Sequence, residues 1–169
     1  LMKYVVTGGA GFIGSNLVDK LLSDGHEVHI IDDLSTGQKR NINPLATFHK
    51  IDISRISNNL NLNEIFKGVD TVFHCAARAR VQASIQDPVN YEKNNNLSLI
   101  NVLKKCVDVN VRRFVYSASS SVYGPTNKLP SKEDDVINPI SPYAVQKYYG
   151  EVACKMFSEV YNIETVSLR

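Results

Sequence analysis

The chain has 169 residues and a mass of 18.8 kDa, a length that argues for one domain. Hydrophobic residues make up 43% and charged residues 21%, ordinary values for a globular domain, so disordered and fibrous classes are excluded. Nineteen basic against 17 acidic residues leave a net charge of +2, which gives no case for nucleic acid or an anionic membrane surface as partner. No apolar run approaches the roughly 18 residues that span a bilayer. Cys75, Cys106 and Cys154 are widely spaced without a CxxC pair, which suggests neither a disulfide framework nor a zinc site. A glycine-rich turn begins at Gly8, where a secretory signal would need its apolar region. The expectation is a cytoplasmic domain.

Strand-like and helix-like periods alternate along the chain. Lys3 to Thr7 reads as a strand, and Phe12 to Asp24 as a helix with Ile13, Leu17, Val18, Leu21 and Leu22 on its buried stripe, stopped by Gly25. Strands follow at Glu27 to Ile31, Phe48 to Ile51 and Thr71 to Cys75. Val89 to Val109 reads as one long helix, then Arg113 to Ser117 as the fifth strand. Ser141 caps a last helix to Tyr161, with Pro142 at its first position, and Thr165 to Leu168 forms strand six. Strands separated by helices predict a doubly wound parallel α/β sheet, covered on both faces, of Rossmann type. Leu1 before Met2, and a last strand with no turn after it, predict that residues 1–169 are one domain of a chain cut short.

Gly8, Gly11 and Gly14 follow the first strand with GxxGxxG spacing. The first permits a tight turn, the second lets the backbone approach a pyrophosphate, and the third lets helix and strand pack closely. The helix beginning there offers free N–H groups and the positive end of its dipole to phosphates. Asp32 and Asp33 follow the second strand, where a carboxylate accepts hydrogen bonds from the ribose hydroxyls of NAD and repels the 2′-phosphate of NADP. NAD is the expected cofactor, with Lys39 and Arg40 keeping NADP open.

Tyr143 and Lys147 are four apart and share a face of the last helix. An ammonium beside a phenol favours the phenolate, which predicts a Tyr143 pKa pulled below about 10, toward general-base range. Ser117 to Ser121 (SASSS) follow the fifth strand, on the carboxyl edge where open α/β sheets bind ligands.

TGGAGFIG (7–14), DDLSTG (32–37), DI (52–53), HCAA (74–77), SSSVYG (119–124) and SPYAVQK (141–147) together resemble the extended short-chain dehydrogenase/reductases, in particular the UDP-sugar 4-epimerases. The resemblance covers essentially the whole chain. It implies that Phe12 and Ile13 cover the pyrophosphate and that Asp32, Asp33, Leu34, Ser35, Thr36 and Gly37 wrap the adenosine ribose. It puts Asp52 and Ile53 beside the adenine, and Cys75, Ala76, Ala77, Arg78 and Ala79 along the nicotinamide side. Asn94 would position the cofactor, in a stretch (NNLSL, 95–99) that departs from the family's NxxGT. Ser119, Tyr143 and Lys147 would be the catalytic trio, and Tyr143 and Lys147 would also touch the cofactor.

The resemblance further implies 4-epimerisation of a UDP-hexose through a transient 4-keto sugar, a C-terminal substrate domain, and a homodimer built on Val89–Val109 and Ser141–Tyr161. Dehydratases of this family carry Thr-Asp-Glu or similar where this chain has Ser119-Ser120-Ser121, and decarboxylases tend to carry glutamate at the place of Ser121. Those activities, and a non-catalytic NAD-binding regulator, are the alternatives. Arg78 and Arg80 are candidates for a substrate phosphate. His26, His29, His49 and His74 lack metal-ligand spacing, Cys75 reads as a core residue, and Glu133 to Asp135 as a solvated loop.

Overall fold

β1 (Lys3–Thr7) places Val5 and Val6 on opposite faces, both fully buried. β2 (Glu27–Asp32) does the same with Ile30 and Ile31, so the centre of the sheet is apolar on both sides. The computed structural model of the chain describes residues 1–56, 60–126 and 128–169. β3 (Thr47–Lys50), β4 (Thr71–His74), β5 (Arg113–Ser117) and β6 (Glu164–Leu168) complete a parallel sheet of order β3-β2-β1-β4-β5-β6. Register sets Thr7 beside Ile31 on one side and His74 on the other, with Tyr116 beyond His74. The chain runs outward from β1 through β2 and β3, then returns to β4. The switch point between β1 and β4 is where such sheets bind ligands.

α1 (Phe12–Ser23) covers the face of Val6, Val28 and Ile30. α2 (Leu60–Phe66), α5 (Ser98–Asp108) and α6 (Pro142–Tyr161) cover the other, joining Phe66, Leu99, Leu103 and Phe157 to Val5, Ile31, Val72 and Phe114. The expected cover on both faces is uneven: in β6, on the α1 side, Val166 is 40% exposed.

Two short helices, α2 and α3 (Val81–Gln86), fall where no periodic signal marks a helix. The long helix expected over 89–109 is α4 (Pro88–Glu92), a wider π turn over Lys93–Leu97, and α5. Its asparagines explain the break: the Asn94 amide donates to the Asn90 carbonyl at 2.7 Å, and the Ser98 hydroxyl donates to the Asn94 carbonyl. Such side-chain bonds compete with the helical ladder. Ile13 also departs from expectation. It is 65% exposed, and the inward face of α1 is Gly14, Ser15, Val18 and Leu21. No helix of the described residues is long and apolar enough to cross a membrane.

Candidate active site

The turn after β1 is set by close backbone contact. Gly8 has φ +71°, and a Cβ there would lie 2.7 Å from the Ala76 nitrogen. A Cβ on Gly14 would meet the Gly8 carbonyl oxygen at 2.3 Å, so the first turn of α1 rests directly on the turn before it. α1 begins at Gly11, without a side-chain cap and without an acidic residue in its first turn. Its leading N–H groups therefore present positive dipole with no internal counter-charge.

Asp32 fastens this turn to β2. Its carboxylate is buried and accepts hydrogen bonds from the Ala10 N–H at 3.0 Å and the Leu34 N–H at 2.8 Å. Asp33 accepts from the Ser35 N–H at 2.8 Å. Gly37 comes so near that a Cβ would sit 2.8 Å from an Asp32 oxygen.

An open cleft lies over the switch point, the place where open α/β sheets bind ligands. It gathers Gly8, Gly11, Asp32, Asp33, Ser35, Thr36, Gly37, Asp52, Ile53, Cys75, Ala76, Ala77, Arg78 and Asn94. Ile31, Ile51, Ser54 and Ser98, which the sequence did not single out, complete its wall. Of the other residues expected at a cofactor, Gly14 lies beneath the turn and Leu34 is held behind it by Asp32. Phe12 and Ile13 project outward from α1, 84% and 65% exposed.

Ser119, Tyr143 and Lys147 come together at the end of β5, beside that wall. Ser119 caps a short 3₁₀ turn (Ser120–Tyr123) by accepting from the Ser121 N–H at 3.1 Å, and its hydroxyl favours the ionised form of the Tyr143 phenol. Ser141 caps α6 by accepting from the Ala144 N–H at 3.1 Å, while Ser84 of α3 accepts from the Tyr143 N–H at 3.2 Å. Sequence reading missed Ser84, which acts from a separate helix. Lys147 is buried, lies 4.9 Å from the Tyr116 ring centroid, and donates to the Ser117 carbonyl at 2.7 Å. The Ser117 hydroxyl in turn reaches Cys75 Sγ at 3.5 Å, tying the trio to the cleft.

The expected pull of Lys147 on the Tyr143 phenol is not what governs it. Burial pushes the phenol above its ordinary range, and the Ser119 hydroxyl opposes that rise. The Lys147 ammonium points to the Ser117 carbonyl instead, 5.9 Å from the Tyr143 ring centroid. Burial lowers the Lys147 pKa to about 8, which leaves it mostly cationic at neutral pH. Burial also raises the Cys75 thiol, so this cysteine is a poor nucleophile. His74 is driven to about 3 by burial and is neutral; one ring nitrogen lies 2.9 Å from the Thr7 hydroxyl. Among the described residues, no three His, Cys, Asp or Glu side chains converge as a metal site.

Over residues 4–169 the chain matches the model of the NAD dependent epimerase/dehydratase family. The chain belongs to that family. Among its relatives, a putative UDP-glucose 4-epimerase of Methanocaldococcus jannaschii is 43% identical over 98% of this chain and 54% of its own length. The UDP-glucose 4-epimerase of Lactobacillus helveticus is 35% identical over 99% of this chain and 51% of its own. A UDP-N-acetylglucosamine 4-epimerase from Methanobrevibacter ruminantium, solved with UDP-N-acetylmuramic acid, superposes with a TM-score of 0.91 at 40% identity, over 99% of this chain and 54% of its own. A Brucella ovis UDP-glucose 4-epimerase solved with NAD gives 0.93 at 31% identity, over 100% of this chain and 51% of its own. This family member thus spans about half the length of the curated relatives it matches.

Proposed function

We propose that this chain is the cofactor-binding part of an NAD-dependent UDP-hexose 4-epimerase. The observation that carries the proposal is the convergence of Ser119, Tyr143 and Lys147 beside the switch-point cleft, with serines at 120 and 121 in place of carboxylates. The residues present fit a dinucleotide. The uncapped N-terminus of α1 and the glycine turn suit its diphosphate, and Asp32 and Asp33 line the cleft where β2 ends. Asp52 and Ile53 would flank the adenine. Cys75 to Ala77 and Asn94 would face the nicotinamide half.

When bound, NAD supplies reversible hydride exchange with C4 of the sugar. The protein supplies the proton chemistry and the positioning. The Tyr143 oxygen takes the proton of the sugar 4-hydroxyl and returns it when the transient 4-keto group is reduced on its other face. Ser119 hydrogen-bonds the reacting oxygen and steadies the phenolate. Lys147 spends one N–H on Ser117 and keeps two for the nicotinamide ribose and the phenolate. An elimination of water would need an acid and a base at 120 and 121, and serines offer neither. We assign the sugar-gripping wall to the portion of the relatives that this chain does not span.

Tyr143→Phe tests the reading. The variant should bind NAD as the wild type does and lose turnover by at least about a hundredfold, measured by calorimetry and by a coupled assay of C4 inversion. Turnover within about a factor of two of wild type would overturn the assignment.

A further inference from the structure

Arg78 is the one cationic side chain among the described residues lining the cleft, whose walls also carry Asp32, Asp33 and Asp52. Its Nε is buried without a hydrogen-bond partner among the described residues, and their ion pairs do not include it. A buried donor without an acceptor is rare in native proteins and marks a place where something else supplies one.

The backbone that carries this guanidinium is held by a buried side chain. Asn95 Oδ1 accepts from the Arg78 N–H at 2.7 Å, and Asn95 Nδ2 donates to the Arg78 carbonyl at 3.1 Å. The same Nδ2 donates to Gln146 Oε1 at 2.9 Å. Asn95 and Gln146 are both 3% exposed, so the amide pair anchors Arg78 between the π turn and α6, one residue from Lys147. The π turn lets adjacent asparagines divide the work: Asn94 lines the cleft and Asn95 holds its wall. A planar guanidinium fork on a fixed backbone suits two phosphate oxygens at once.

We propose that Arg78, held in place by the Asn95–Gln146 pair, is the cationic contact for a nucleotide diphosphate in the cleft. This rests on the nucleotide-binding reading above. Two diphosphates share that chemistry, those of the dinucleotide and of the sugar nucleotide, and binding distinguishes them. Arg78→Met keeps the apolar stem and removes the charge, and Asn95→Leu removes only the mount. Calorimetry on the full-length protein, stripped of resident nucleotide, would use NAD, UDP and adenosine at low and high salt.

In Arg78→Met, affinity for NAD or for UDP should fall by about tenfold or more, with a flatter salt dependence and unchanged adenosine affinity. Loss confined to NAD assigns the dinucleotide, and loss confined to UDP assigns the sugar nucleotide. Asn95→Leu should weaken the same ligand by about threefold or more with Arg78 intact. Both affinities unchanged in Arg78→Met, or an equal loss for adenosine, would overturn the proposal. Wild-type protein that binds neither NAD nor UDP would overturn the functional reading and the proposal with it.

Discussion

Opposed influences meet at the Tyr143 phenol: burial, with a smaller push from Tyr91, raises its pKa, and the Ser119 hydroxyl lowers it. Ser119→Ala leaves burial unopposed. The phenol then titrates at higher pH, and the acid limb of kcat against pH moves upward, with lost rate partly recovered at about pH 9. A lower plateau on an unshifted limb would make Ser119 an orienting group only. Lys147 carries a second pH signature. Between its folded pKa of about 8 and its ordinary value of 10.5, the unfolded chain holds a proton that the folded one lacks. Stability therefore rises with pH across that window, and below it the full cost of burying the ammonium stands, on the order of 3 kcal/mol. Lys147→Met should resist urea better than wild type at about pH 7, with the advantage shrinking by about pH 10. An equal advantage at both would show that burial is not what lowers this ammonium. The Tyr143–Lys147 pair and the serine run are legible in sequence because a helical spacing and a run of one residue type are local signals. The choice of Ser119 among the serines comes from the resemblance. Asn95, Gln146 and Ser84 are not legible, since each acts across 17, 51 or 59 residues of chain, and nothing nearby in sequence marks which asparagine turns inward.

At the scale of elements, α6, which carries Tyr143 and Lys147, has its first turn satisfied from two directions, by Ser141 before it and Ser84 across from it. Farther along, Gly150 lets the helix lie on the Tyr116 ring; a Cβ would come within 2.3 Å of the Tyr116 hydroxyl oxygen. Two effects oppose each other in Gly150→Ala. Alanine gains up to about 1 kcal/mol of helix propensity, while overpacking costs about 1–3 kcal/mol. Tyr116 is only 2% exposed and lies beneath Lys147, so the ring cannot yield without moving the ammonium. The variant should lose about 1–2 kcal/mol in denaturant titration and show a lower kcat; a stabilised variant would contradict this packing. The six strands and the two long helices were legible because their apolar period repeats several times. α2 and α3 are too short to show a period, and the asparagine-rich break at Lys93–Leu97 depends on side-chain bonds that hydrophobicity does not report.

At the scale of the molecule, the sheet order brings one edge together from four distant places: the turn after β1, the acid pair ending β2, the segment after β4 and the serines after β5. The glycine spacing and the alternating period announced that edge. The uneven cover of the second face was not announced, because a strand's own sequence does not say which of its faces receives a helix. The most direct test is proton NMR of the full-length protein, purified without added nucleotide and given UDP-glucose, UDP-N-acetylglucosamine or UDP-glucuronate with no NAD supplied. A C4 epimer of one of these should appear with no net oxidation or reduction. A 4-keto-6-deoxy sugar, a pentose, or no turnover by protein shown to carry NAD would contradict the account.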